Sequence, residues 1–218
     1  MLNAVLVKTY APPPIDEKEI LRYAGHRGEA DEGIKTLLKE CLQECTPCIS
    51  YRVCYRAYET ETLKTLIGEG KTVCHYLQGC EYAVAFAATV GLEMDRLIQK
   101  YAVRSTAKAL LFQAIGAERI ESLCNAFCED MAALYQKDGF FARPRFSPGY
   151  GDFPLLRQKE LFSSLDCARK IGLSLTDSFL MTPSKSVTAV MGFSKTQTPL
   201  KTGCAVCEKK DCKLRKEE

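Results

Sequence analysis

The sequence is short of the residues that hydrolytic chemistry uses. Only two histidines, His26 and His75, occur in 218 residues. Neither lies beside a serine or cysteine motif, so a Ser–His or Cys–His nucleophile pair is not expected. Excess charge is also missing: 30 Lys and Arg against 27 Asp and Glu leave a net charge of +3. No Lys/Arg cluster is interleaved with aromatics, which argues against a nucleic-acid partner. No segment approaches the roughly 18 uninterrupted apolar residues of a membrane span. The longest apolar run, Tyr82 to Val90, reads instead as a buried strand. The first residues, Met1 to Lys8, lack the basic start and small-residue cleavage site of a signal peptide, so the expected compartment is the cytoplasm. Paired carboxylates such as Glu129 and Asp130 fall on a polar helix face and read as solvated surface.

Hydrophobic content of 46% and charged content of 26% are those of an ordinary globule. The length suits one sizeable domain over residues 1–198, followed by a polar, cysteine-containing tail over 199–218. Twelve cysteines must be read against a reducing compartment, where clusters mean metal binding or core packing more than disulfides. Cys41-x3-Cys45-x2-Cys48 has the spacing of a radical-generating iron–sulfur site, yet Cys41 and Cys45 fall on the apolar face of an expected helix and read as core. Cys124 and Cys128, four apart on another helix, read the same way. The tail is different. Cys204, Cys207 and Cys212 offer three thiolates within nine residues, suited to zinc or an iron–sulfur cluster if a fourth ligand comes from elsewhere; free thiols on a polar tail are the competing reading.

Strands are expected at 4–10, 49–55, 81–90 and 187–193. Helices are expected from Asp16 to Tyr23, Asp31 to Glu44, 73–78, 92–102, Ser105 to Gln136 and Arg157 to Ile171. The longest of these puts Leu110, Ala114, Ala117, Glu121, Cys124, Phe127, Met131 and Tyr135 on one stripe. Arg119, Ser122, Asn125, Glu129 and Asp130 lie opposite, and a break near Gly116 is expected. Thr176 to Met181 is ambiguous. Long helices with scattered strands and no regular βαβ spacing give an α+β class: a single domain with a mixed or antiparallel sheet flanked by long helices.

The densest information lies in Arg145-Phe146-Ser147-Pro148-Gly149-Tyr150-Gly151-Asp152-Phe153-Pro154. Prolines fix φ and glycines open backbone geometry closed to other residues, so this is a rigid, non-repetitive loop. It reads either as a corner between strand and helix or as a ligand clamp, with Arg145 for a carboxylate and Tyr150 as a flat lid. The Gly-Lys-Ser/Thr core of a P-loop and the three-glycine dinucleotide fingerprint are both missing. A second block, Leu175 to Val187, packs hydroxyls around Pro183 and taken alone reads as capping and a turn.

Together the two blocks resemble the activation domain of cobalamin-dependent methionine synthase, the C-terminal domain that binds S-adenosylmethionine. The matching pieces are Arg145-x-x-Pro148-Gly149-Tyr150, the helix after it, Leu175-Thr176-x-Ser178 and Met181-x-Pro183-x-x-Ser186-Val187. The resemblance is strong over 145–194 and weaker over 71–138. It implies that Arg145, Gly149 and Tyr150, with Ser147 beside them, hold S-adenosylmethionine. It also implies upstream groups that answer the ligand's ammonium and sulfonium, for which Glu118, Glu121 and Asn125 are the candidates. With no cobalamin-, folate- or homocysteine-binding segment, the chain resembles a free-standing version. The implied role is accessory: reductive methylation of cob(II)alamin carried by a partner methionine synthase, with flavodoxin or ferredoxin as a further partner. The tail cysteines are outside the family pattern, and Thr188-Ala189 replaces the expected Ser-Gly. The alternatives are a metal- or cluster-binding electron-transfer or scaffold protein using Cys204, Cys207 and Cys212, and the same chemistry directed at another corrinoid methyltransferase.

Overall fold

The apolar run at the centre of the sequence is the centre of the sheet. In a computed structural model that describes residues 4–68 and 70–197, β3 (Tyr82–Thr89) pairs antiparallel with β2 (Tyr51–Glu59) on one side and β7 (Ser186–Ser194) on the other. β1 (Leu6–Tyr10) adds to β2, and the two-residue β4 (Phe141–Ala142) adds to β7, giving a five-stranded sheet of order β1-β2-β3-β7-β4. Every one of these pairs is antiparallel, which settles the sheet type the sequence left open. Side chains alternate across β3: Val84, Phe86 and Ala88 enter one core, while Ala83, Ala85 and Ala87 enter a second on the opposite face. A strand covered on both faces needs no polar residue, and so its sequence is continuously apolar.

The first face carries α1 (Glu17–Tyr23), α2 (Glu32–Cys45), α5 (Leu92–Ala102) and α6 (Thr106–Gln136). Two of their starts are capped by aspartate. Asp16 accepts the Glu19 N–H at 3.0 Å, and Asp31 accepts that of Ile34 at 2.8 Å. Cys41, Cys45 and Cys124 are buried in this core. The α6 helix runs 31 residues without the break expected at Gly116. That glycine serves close packing: a Cβ there would lie 2.9 Å from Met94 Cγ and from Lys185 Cγ.

Three assignments along α6 are corrected, one being Asn125, which the sequence places opposite Glu121 but which shares the Arg145 guanidinium with it. Leu110, placed on the apolar stripe, is 51% exposed, and Arg119, placed on the polar face, is 2% exposed. Arg119 pairs with the equally buried Glu118 and donates to the carbonyls of Pro13 and Pro14, each at 2.6 Å. Glu118 also accepts the Ser122 hydroxyl at 2.6 Å and the Asp16 N–H at 3.3 Å. A proline segment has carbonyls and no N–H groups of its own, so a buried guanidinium is a fitting partner for it. This network fastens the N-terminal segment to α6 and removes Glu118 from the ligand candidates. Asp130 is likewise more than solvated surface: it pairs with Lys8 and accepts the Tyr10 hydroxyl at 2.7 Å, tying β1 to α6.

The second face carries α3 (Thr60–Ile67), α4 (Lys71–Leu77), α7 (Gln158–Leu165) and α8 (Cys167–Ile171). The single helix expected from Arg157 to Ile171 is two, because Asp166 adopts a left-handed conformation at φ 49° and interrupts it. Gly172, also left-handed at φ 69°, ends α8 as expected. Three α-helical and β layers thus stack as helix, sheet, helix, and the chain is α+β. The tail cysteines Cys204, Cys207 and Cys212 lie outside the described residues. Among the described residues, no group of three or more His, Cys, Asp or Glu is arranged to hold a metal ion, and no helix is long and apolar enough to cross a membrane.

Candidate functional site

The loop after β4 hangs on the edge of β7. Phe146 exchanges both backbone hydrogen bonds with Val190, at 2.9 Å each. The Phe146 ring stacks on Tyr76 with centroids 5.2 Å apart and on Phe153 at 5.9 Å. Tyr76 in turn donates its hydroxyl to Pro144 O at 2.7 Å and accepts the Gly192 N–H at 3.1 Å. Arg143, buried, spends its guanidinium on the Tyr76 and Gln78 carbonyls. The turn itself closes through Gly149 N–H to Phe153 O at 2.8 Å, Tyr150 N–H to Ser147 O at 3.3 Å and Phe153 N–H to Tyr150 O at 3.0 Å. Gly149 at φ 94° and Gly151 at φ 57° occupy left-handed backbone that favours glycine. At Gly151 a Cβ would also approach Thr72 to 3.1 Å.

Asp152 pins the far side of the loop by accepting the Thr72 N–H, at 2.8 Å, in the first turn of α4. Hydrogen bonding from Thr72 holds the Asp152 carboxyl below the usual aspartate range. A lowered folded-state value means that the contact contributes fully above the free-aspartate pKa of about 3.9 and is lost as pH falls through the lower value. Thermal melts should therefore show Asp152→Asn less stable than the parent at neutral pH, with the gap closing as pH drops below about 4. A gap that persists unchanged at low pH would assign the effect to something other than this carboxylate.

Above this fixed base, Arg145 reaches across to α6. Its Nη1 donates to Asn125 Oδ1 at 2.7 Å, and its Nη2 pairs with Glu121 Oε2. Three of the residues singled out from sequence, 20 and 24 positions apart along the chain, are thus one cluster. The Arg145 side chain is 23% exposed and the Glu121 side chain 42%, so both reach solvent. Tyr150 is 68% exposed at the tip of the turn. Gly149 lies in the same turn, and Ser147 contributes its carbonyl to the turn's own hydrogen bonding. The loop is therefore a corner at its base, with Arg145 and Tyr150 carried at its edge.

The sequence reading missed the thiols in this cluster. Cys124, fully buried, and Cys128, half-buried, lie on the α6 face that bears Glu121 and Asn125, close enough to interact electrostatically with Arg145. Burial pushes both thiols up, outweighing the cation, so both stay protonated at neutral pH. Their spacing from Glu121, at three and seven positions, is the signal that places them on one face.

The second block is scaffolding. Ser174–Leu175 and Met181–Thr182 form the hairpin of β5 and β6, closed by Thr176 Oγ1 accepting the Leu180 N–H at 3.0 Å. Thr176 thus caps a turn and no helix. The Ser184 N–H and hydroxyl both donate to Asp95 of α5, and Ser186 Oγ bonds Pro183 O at 2.7 Å and Thr89 Oγ1 at 2.9 Å. These contacts fix where β7 begins and hence where Val190 presents its edge to Phe146. An apolar cavity of about 420 Å³ between α6 and strands β1–β3 is lined by Tyr55, Tyr82, Met131, Tyr135, Asp138 and Phe140, among others. Its lining includes no basic side chain.

The chain can be set beside known proteins. A solved structure, the MetH reactivation domain bound to AdoHcy, aligns with a TM-score of 0.64 over 91% of this chain and 81% of its own length, at 16% identity; the two share a fold. No curated protein matches in sequence. The family model for the vitamin B12 dependent methionine synthase activation domain matches residues 71–203. That span takes in α4, β3, α6, the Arg145–Pro154 loop, the β5–β6 hairpin and β7, which is every element that builds the Arg145 cluster. The chain belongs to the family of vitamin B12 dependent methionine synthase activation domains.

Proposed function

We propose that this chain binds S-adenosylmethionine at the Arg145 cluster and supports reductive methylation of cob(II)alamin on a partner cobalamin-dependent methionine synthase. The observation that carries this reading is Arg145 itself: a guanidinium held by Glu121 and Asn125, on a side chain 23% exposed, in a glycine-bearing loop. The chemistry of these groups fits the ligand. The Arg145 guanidinium suits a carboxylate, and the Glu121 carboxylate suits an ammonium or sulfonium. Gly149 and Gly151 give the loop the left-handed backbone that carries it past Arg145.

In this reading Arg145 binds and orients the amino-acid end of the ligand. Glu121 neutralises positive charge and, with Asn125, keeps the Arg145 fork from rotating. Tyr150 closes over the ligand and excludes water. When bound, S-adenosylmethionine supplies an electrophilic methyl group whose irreversible loss draws an otherwise unfavourable one-electron reduction of the partner's cobalt to completion. A small carrier such as flavodoxin or ferredoxin would deliver the electron. No acid or base is required of this chain. Cys124 and Cys128 must even be kept from acting as nucleophiles, and their burial, which holds them as thiols, does so.

Anaerobic reactivation of an inactive cob(II)alamin methionine synthase, under a chemical reductant, tests the proposal. Activity should return only when this chain and S-adenosylmethionine are both present. Equal recovery without either would refute it. Metal analysis of anaerobically purified protein addresses the proposed zinc or iron–sulfur site at Cys204, Cys207 and Cys212. One ion or cluster per chain, lost on substituting these residues, is the expected outcome.

A further inference from the structure

On the face of the sheet opposite Arg145, two thiols meet in the core. Cys54 of β2 and Cys167 at the start of α8 are 113 residues apart in sequence, yet their sulfurs are 3.9 Å apart in hydrogen-bond contact. Both are buried, at 0% and 1% exposure. The reading of the ligand site uses neither. We propose that Cys54 and Cys167 form a thiol–disulfide latch that locks α8 onto the sheet when the protein meets a hydroperoxide.

Several observations place the latch here. A disulfide needs the sulfurs at about 2.05 Å, so an approach of roughly 2 Å from the observed contact closes the bond. The partners sit on different elements of one core: α8 packs on β2 and β3, and Arg52 of β2 already donates to Ile171 O at the end of α8, at 2.8 Å. The latch would add a covalent tie at the other end of the same helix. Access comes from local opening. The α8 helix has only five residues and is set off from α7 by the left-handed Asp166, so it is a short unit for local opening to release. Contact with Cys167 also draws the Cys54 thiol down while raising that of Cys167, which makes Cys54 the first to ionise.

The chemistry balances with a hydroperoxide as oxidant. The Cys54 thiolate attacks the terminal peroxide oxygen; the O–O bond breaks, giving a sulfenic acid at Cys54 and releasing an alcohol, or water from hydrogen peroxide. The Cys167 sulfur then attacks the Cys54 sulfur, the S–O bond breaks, and the hydroxyl leaves as water with the Cys167 proton. Two thiols lose two electrons and the peroxide gains them. Because the bond closes a loop of more than a hundred residues, it constrains the unfolded chain strongly.

The test treats the full chain with hydrogen peroxide, blocks remaining thiols with N-ethylmaleimide in denaturant, and maps the peptides. A Cys54–Cys167 linked peptide, lighter by two hydrogens than the reduced pair, should appear. It should be accompanied by a rise in melting temperature of roughly 5 °C or more, reversed by dithiothreitol. Cys54→Ala and Cys167→Ala should each abolish the peptide and the rise. Should either variant fold poorly, the mapping of the parent protein still decides. Recovery of both residues as alkylated thiols after oxidation, or linkage of either one mainly to another cysteine, would overturn the proposal.

Discussion

Replacing Arg145 by alanine is expected to weaken S-adenosylmethionine binding roughly 30- to 150-fold while leaving the protein folded. A charge-assisted, two-pronged contact to a carboxylate contributes about 2–3 kcal/mol, and each 1.4 kcal/mol is about tenfold in affinity. The protein tolerates the change because the groups that hold Arg145 are not stranded by its loss. Glu121 and Asn125 both reach solvent and can be hydrated, and the loop base is secured by Phe146, Asp152 and Gly149, none of which depends on Arg145. Arg145→Lys should fall between the two, since it keeps the charge and loses the fork. Calorimetric titration with S-adenosylmethionine, beside thermal melts, separates a lost contact from a lost fold. Affinity within threefold of the parent for Arg145→Ala would remove this residue from the site.

The largest expected effect on stability lies elsewhere, at Arg119→Ala. That substitution leaves Glu118 buried with its principal counter-charge gone and leaves the Pro13 and Pro14 carbonyls without their donor. Breaking a buried pair from one side costs about 3–5 kcal/mol. In a domain of this size that lowers the melting temperature by roughly 6–20 °C. The double variant Glu118→Gln with Arg119→Met should lose less than Arg119→Ala alone, because no buried charge remains. The N-terminal segment should also become sensitive to proteolysis near residues 11–16 in Arg119→Ala. A melting temperature unchanged in the single variant would contradict the buried network.

What the sequence made legible follows the range of the forces involved. The caps at Asp16 and Asp31 act over three residues, and the helix starts they mark fall where the sequence puts them. The β3 strand is apolar on both faces because both are covered, and its run of residues says so directly. The 31-residue α6 could be read as a helix, but which of its faces is buried could not be read with certainty. Arg119 looks like surface until the carbonyls of Pro13 and Pro14, more than a hundred residues earlier, are brought to it. The same holds for Asp130, whose partners Lys8 and Tyr10 come from the far edge of the sheet. The α3 helix escaped notice because it lacks a side-chain cap and is only eight residues long, and the α7–α8 break because Asp166 is a non-glycine residue in a left-handed conformation.

The candidate site divides in the same way. Arg145, Gly149 and Tyr150 share one loop and were visible as a unit. Glu121 and Asn125 were chosen from a helix on the strength of a family resemblance, and the structure places both on the Arg145 guanidinium. Cys128 was read as core. Its position beside Arg145 depends on how the loop crosses α6, and no local pattern encodes that crossing.

The function proposed for this chain requires that the Arg145 loop and α6 hold the ligand. Calorimetric titration of the parent protein with S-adenosylmethionine is the direct measurement. A single saturable site per chain is predicted, with affinity reduced at least tenfold for Glu121→Gln and further for Arg145→Ala. Absence of heat and of any thermal shift at millimolar ligand, in protein shown to be folded, would contradict it.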